Sequence, residues 1–124
     1  MVTVFFNPNG GALFARGVFL GDIVANYEIL LREKNSNSET GLISGDNLNP
    51  EDDVTSLPLP SSINEGRRVV LETGFVGNNP VDNPNYQIRL EIFQDNQRIG
   101  FDEDKGIVDG KGQFSLLFIK LAIQ

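Results

Sequence analysis

Asn85-Tyr86-Gln87-Ile88-Arg89-Leu90-Glu91-Ile92-Phe93-Gln94 decides the class of fold, because Tyr86, Ile88, Leu90 and Ile92 recur at every second position. A period of two sends alternate side chains to opposite faces, which is the signature of a half-buried strand. Directly after it, Asp95-Asn96 separates the run from Gln97-Arg98-Ile99-Gly100-Phe101. A two-residue loop of this type between two strand-like runs predicts a tight hairpin.

Moving outward, the same alternation places Tyr27, Ile29 and Leu31 on one face, and Val69, Leu71, Thr73 and Phe75 on another. Val2 to Phe6 and Leu13 to Leu20 are further strand candidates. The run Phe114 to Ile123 is apolar on both faces through its middle, so it reads as a central strand covered on both sides. Clusters such as Asn7-Pro8-Asn9-Gly10-Gly11, Gly77-Asn78-Asn79-Pro80 and Asp82-Asn83-Pro84-Asn85 punctuate these runs as turns. No segment sustains a period of 3.6; the best helical candidate, Asp22 to Lys34, alternates more strongly. The expected fold is therefore all-β. It is a single antiparallel β-sandwich over residues 1–124, Ig-like or C2-like in general architecture, with Phe5, Phe6, Phe14, Phe19 and Phe75 filling the inter-sheet core. A long irregular stretch at about 34–66 interrupts it, with room for a short edge strand such as Gly41 to Ser44.

One internal echo stands out. Gly17 to Asp22 followed by Asn26 to Leu31 resembles Gly74 to Asn79 followed by Asn85 to Leu90, with Tyr27 matching Tyr86. Whether duplication or two similar hairpins, the echo predicts two sheets with equivalent loops at one end.

Composition removes whole chemistries. The 124 residues include no His, Cys or Trp, which excludes Ser-His-Asp and Cys-His nucleophiles, zinc sites of imidazole or thiolate, and disulfides. Only oxygen ligands remain for a metal, which points to Ca²⁺ or Mg²⁺. A net charge of -7, from 10 basic and 17 acidic residues, argues against nucleic acid as a partner. No apolar run reaches membrane-spanning length, the first residues carry no charged n-region, and nothing points to a compartment. With every acidic cluster in a hydrophilic stretch and no phosphate-binding glycine motif, the chain is expected not to be an enzyme.

Three sets of residues could carry a ligand. The first is Asp102, Asp104 and Asp109 in Asp102-Glu103-Asp104-Lys105-Gly106-Ile107-Val108-Asp109-Gly110. There, alternate carboxylates near a glycine could wrap Ca²⁺ in a loop, although Ile107 and Gln113 stand where an EF-hand needs Gly and Glu. The second is Asp46, Asp52 and Asp53. These two stretches hold nearly half of the acidic residues, and if they met at one end of the sandwich their repulsion would call for a cation or basic partner. The third is Asp22, Asn78, Asn79, Asp82 and Asn83, whose amides and carboxylates suit sugar hydroxyls. Solvated turns contain the same residue types, and Tyr27 and Tyr86 are expected to be strand tyrosines in the core. Ile88 to Gly100 followed by Asp102 to Asp104 is also similar, over a short span, to a strand and acidic loop of C2-type membrane-docking domains. The second acidic loop of that family does not align onto Asp22 or Asp82.

The expected function is thus a non-enzymatic binding module. It would use Asp/Asn-rich loops, with Ca²⁺ as a candidate cofactor, to hold a protein or glycan surface ligand or an anionic lipid surface. The alternative is a structural or assembly subunit, a homo-oligomer joined through the edges of Val2–Phe6 and Leu116–Ile123 or through an exposed sheet face.

Overall fold

Every alternating run becomes a strand. A computed structural model describes residues 1–49 and 53–124, and its strands are β1 (Val2–Phe6), β2 (Leu13–Gly21), β3 (Ile23–Arg32), β4 (Glu39–Asp46), β5 (Val54–Ser56), β6 (Arg68–Gly77), β7 (Asn85–Gln94), β8 (Gln97–Ile107) and β9 (Gln113–Ile123). They form a five-stranded sheet in the order β1-β9-β6-β3-β4 and a four-stranded sheet in the order β5-β2-β7-β8. All pairings are antiparallel except β1 with β9, which is parallel. Among the described residues no helix is long and apolar enough to cross a membrane.

The inner faces are those the alternation assigned. Tyr27, Ile29 and Leu31 of β3, Val69, Leu71 and Phe75 of β6, and Leu117, Ile119 and Leu121 of β9 meet Leu13 and Ala15 of β2 and Ile88, Leu90 and Ile92 of β7 in one core. Burying a side chain of this size contributes about 1.5–3 kcal/mol, so this interleaved set is the main favourable term in the fold. Asp95 and Asn96 turn the β7–β8 hairpin with φ of 52° and 63°, the left-handed pair that a two-residue loop needs to match strand twist.

Three expectations change, and the expected edge strand at Gly41 to Ser44 is present. Of the phenylalanines assigned to the core, Phe6 and Phe75 are buried and Phe19 packs against it, but Phe5 and Phe14 point outward. The strand β9 is internal, yet it is covered on one side only, and Phe114 and Leu116 are exposed on its outer face. Nor is Leu116–Ile123 a free edge, because β9 pairs with β6 on one side and takes β1 in parallel on the other. The stretch from 34 to 66 holds β4, which spans Gly41 to Ser44 as an edge strand, as well as β5 and a 3-10 turn at Ser61–Asn64.

At the end of the sandwich opposite the β2–β3 turn, Gln94 ties the β1–β2 connection to the hairpin. The Asn7 amide donates to Gln94 Oε1 at 2.9 Å, and Gln94 Nε2 donates to the carbonyls of Asn7 at 2.8 Å and Gly11 at 3.0 Å. Gln94 is itself buried, so its loss strands backbone groups that water does not freely reach. Gln94→Leu is expected to lower unfolding free energy by about 2 kcal/mol, since each unsatisfied buried group costs about 1–3 kcal/mol. Urea denaturation checks it, and a loss below the error of the measurement would remove this clamp from the account.

Candidate functional site

At one end the chain makes two adjoining crossings between the sheets. It passes from β2 to β3 through Gly21 and Asp22, and from β6 to β7 through residues 78–84. Gly21 has φ of 109°, and a Cβ there would lie 2.5 Å from the Asn85 carbonyl oxygen, so only glycine lets the two crossings close on each other. The Asn78 amide then donates to the Asp22 carbonyl at 3.0 Å, a backbone link between the two turns.

Around that link the five predicted ligand-binding residues come together. Asn78 Nδ2 donates to Asp22 Oδ1 at 3.0 Å, and Asn83 Nδ2 donates to Asp22 Oδ2 at 3.3 Å. Asn79 Nδ2 donates to Asp82 Oδ2 at 3.5 Å, while the Asp82 amide donates to Asn79 Oδ1 at 3.3 Å. A carboxylate offers about four lone-pair sites, so Asp22 with one amide on each oxygen keeps acceptor capacity for an incoming hydroxyl. Asp22, Asp82, Asn83 and Asn85 line an open depression of about 360 Å³. Through Gly21 and Asn85 it continues into a groove of about 570 Å³ bounded by Leu20, Tyr86, Lys105 and Ile107.

Tyr86 supports the groove from below. Its ring lies 4.6 Å from that of Phe75, and its hydroxyl donates to Asp104 Oδ2 at 3.4 Å. Gly106 is its neighbour in register, and a Cβ there would come within 2.8 Å of the tyrosine oxygen. Burial, then the Asp104 charge, then the hydrogen bond to it all push the Tyr86 phenol above its ordinary 10.0. The unit repeats across the sandwich. Tyr27 stacks on Phe19 at 5.0 Å, donates to Asp53 at 2.7 Å and lies beside Gly45 of β4.

The carboxylates expected to hold Ca²⁺ are dispersed. Asp102 and Asp104 are not in a tip loop but within β8, in register with Leu90 and Ile88, where they share the inward side of an edge strand. Asp109 lies in the β8–β9 connection and accepts from the Lys111 amide at 2.9 Å. Asp46 ends β4 and accepts from the Leu48 amide, whereas Asp53 is buried; the two share a small cavity of about 230 Å³ with Tyr27. Asp52 lies outside the described residues. Among the described residues, Asp46 and Asp53 lie apart from Asp102 and Asp104, because β4 and β5 form one side of the sandwich and β8 the other. Among the described residues no three acidic side chains gather as a metal centre.

Sequence reasoning missed one constellation. Glu91, only 5 % exposed, faces outward from β7 and gathers Arg98 at 3.0 Å, Arg89 at 3.2 Å and Arg16 at 4.0 Å, with Arg98 also lying 4.4 Å over Phe101. Arg89 and Glu91 are two apart and so share a face, but Arg16 and Arg98 are brought by strand pairing, which leaves no local mark. Beside it, burial would raise the Glu103 carboxyl. Hydrogen bonds from Gln87 and Lys105 and the charges of Lys105 and Arg89 outweigh that and hold it low.

No protein-family model matches the chain, and no curated protein matches it. Two solved structures match it at low similarity. A DUF4425 family protein from Bacteroides ovatus is 11% identical with a TM-score of 0.44, covering 90% of this chain and 96% of that one. A domain of unknown function, DUF4425, from Bacteroides vulgatus is 12% identical with a TM-score of 0.45, covering 91% and 96% respectively. The strands themselves define the class, a two-sheet β-sandwich.

The raised Tyr86 phenol sets an alkaline limit. Its stabilising contribution is complete below the unfolded value near 10.0 and declines as pH rises from there through the higher folded value, because the unfolded chain loses the proton first. Tyr86→Phe is expected to flatten the fall in unfolding free energy above pH 10. Equal slopes for the two proteins would contradict the assigned shift.

Proposed function

We propose that the protein is a non-enzymatic binding module whose crossing-loop end takes a polyhydroxylated ligand, a glycan at a surface. Asp22, Asn78, Asn79, Asp82 and Asn83 supply the polar contacts. The observation that carries this reading is the hydrogen-bonded gathering of five amide and carboxylate side chains from two turns far apart in sequence, three of which, Asp22, Asp82 and Asn83, line an open depression. Sugar hydroxyls both donate and accept, and this set offers both partners. A sugar also has aliphatic faces, and the adjoining groove presents Leu20, 46 % exposed, and Ile107, 67 % exposed, to meet them. An anionic lipid is the less favoured occupant, since Asp22 and Asp82 repel phosphate and Lys105 is the only cation lining the groove.

Calcium belongs to the reading as an auxiliary. A half-turn of the Asn78 and Asn83 amides would exchange two N–H donors for two carbonyl oxygens beside the Asp22 carboxylate, a shift from hydroxyl recognition toward a hard cation.

Saturation-transfer NMR against a panel of neutral oligosaccharides, with Ca²⁺ and again with a chelator, tests the proposal. Binding is expected to weaken about tenfold in Asp82→Ala/Asn83→Ala, equivalent to about 1.4 kcal/mol, with unchanged thermal unfolding. That pair leaves the backbone link at Asp22 in place. Failure to bind any oligosaccharide in either condition, or undiminished binding by the variant, would overturn it.

A further inference from the structure

We propose that the outer face of the five-stranded sheet is the interface of a two-fold homodimer, with the apolar row Phe118, Val70 and Leu30 lying along the axis. The inference is independent of the ligand reading and starts from what that face contains. Register places three rows across β9, β6 and β3: Leu116, Glu72 and Glu28; then Phe118, Val70 and Leu30; then Lys120, Arg68 and Arg32. Val70 is fully buried yet no member of the inter-sheet core, and Phe118 and Leu30 beside it are half-buried, so the middle row is a small apolar strip on the outer side of the sandwich, partly roofed by its own neighbours.

The charges flank this strip unevenly within one chain. Glu72 and Glu28 stand directly opposite each other on adjacent strands, a destabilising arrangement for like charges. Neither forms an ion pair among the described residues. On the other side, among the described residues, Lys120 has no carboxylate partner, and Arg68 gives its Nη2 to the carbonyls of Glu33 at 3.1 Å and Ser36 at 2.6 Å. Arg32 is held by Glu39 at 3.2 Å and lies 5.4 Å over the Phe118 ring.

A second copy of this chain resolves the mismatch. Successive rows on one face are about 7 Å apart along the strands, so the acidic and basic rows lie symmetrically about the apolar row. A two-fold axis running across the strands along that row keeps each strand over its own counterpart and reverses the order of rows. It sets Glu72 against the partner's Arg68 and Glu28 against the partner's Arg32, with Leu116 against the stem of the partner's Lys120. The same operation carries Phe114 onto the partner's Ala122 and the neighbouring Phe5, the register partner of Ala122. Phe114 is 67 % exposed and Phe5 57 %, and the dimer covers both. An axis along the strands would instead stack acidic row on acidic row, so charge chooses between the two.

Sedimentation velocity of the intact chain is expected to show twice the chain mass, with dissociation promoted by molar salt. Glu72→Arg should weaken association at least ~10-fold, as should Arg68→Glu, and an equimolar mixture of the two should recover a heterodimer because each then meets the opposite charge. Thermal melts of the separate variants check that each is folded. Should Arg68→Glu unfold through loss of its two carbonyl contacts, cross-linking replaces it. The chain has no cysteine, so Leu30→Cys next to the axis is expected to give an oxidised covalent dimer, whereas Val24→Cys, off the axis, is not. A monomer throughout the micromolar to millimolar range overturns the proposal. So does a dimer indifferent to Glu72→Arg, or one in which Leu30→Cys fails to cross-link.

Discussion

The backbone hydrogen bond from Asn78 to the carbonyl of Asp22 is the constraint on which the rest of the molecule leans. Two packed sheets share side chains but no ladder, so the chain has to cross from one to the other without leaving polar backbone unsatisfied. Here two of the crossings occur side by side and satisfy one another, with Gly21 permitting the approach. Because the link joins β2–β3 to β6–β7, it places the β2–β7 and β3–β6 ladders in mutual register and closes the core between them. Two of the candidate ligand residues, Asp22 and Asn78, are therefore also the residues that link the crossings. That identity explains why the recognition test needs Asp82 and Asn83 rather than Asp22.

From this link a pseudo-two-fold arrangement follows. Strands β2, β3, β4 and β5 correspond to β6, β7, β8 and β9, since β2 pairs with β7 as β6 pairs with β3, and β5 flanks β2 as β9 flanks β6. Each half carries a Phe stacked on a Tyr, the Tyr beside a Gly on the edge strand, and the Tyr hydroxyl on an Asp. Much of this was legible. The alternation around Tyr27 and Tyr86 announced two inward faces, and the matching Gly and Asn/Asp turns announced equivalent loops at one end. The five residues Asp22, Asn78, Asn79, Asp82 and Asn83 could be grouped from those turns alone. The edge glycines, Gly45 and Gly106, were beyond reach, since their role is visible only when the strand opposite is known.

What misled was composition standing in for geometry. Asp102-Glu103-Asp104-Lys105 has the residues of a loop, yet it also has the period of a strand, and the second property won because β7 offered a full ladder for β8 to join. An edge strand is also where charge is useful, since inward carboxylates deter pairing with another chain. The error at β9 ran the other way. Its run of apolar residues suggested cover on both sides, but hydropathy cannot distinguish a face buried within one chain from a face left for a partner. Glu91 was hidden for a third reason, as two of its three arginines come from neighbouring strands.

The proposed dimer and the proposed ligand site constrain each other. An axis across the strands reverses their direction between copies, so the two crossing-loop ends point to opposite poles of the assembly. Two sites facing one way could gain avidity on a single surface, whereas sites at opposite poles gain little there. They can instead join two separate ligands. In the proposed assembly the apolar strip of the five-stranded sheet and the amide-rich end would act together, with pairing through a sheet face turning a weak, shallow site into a bridge.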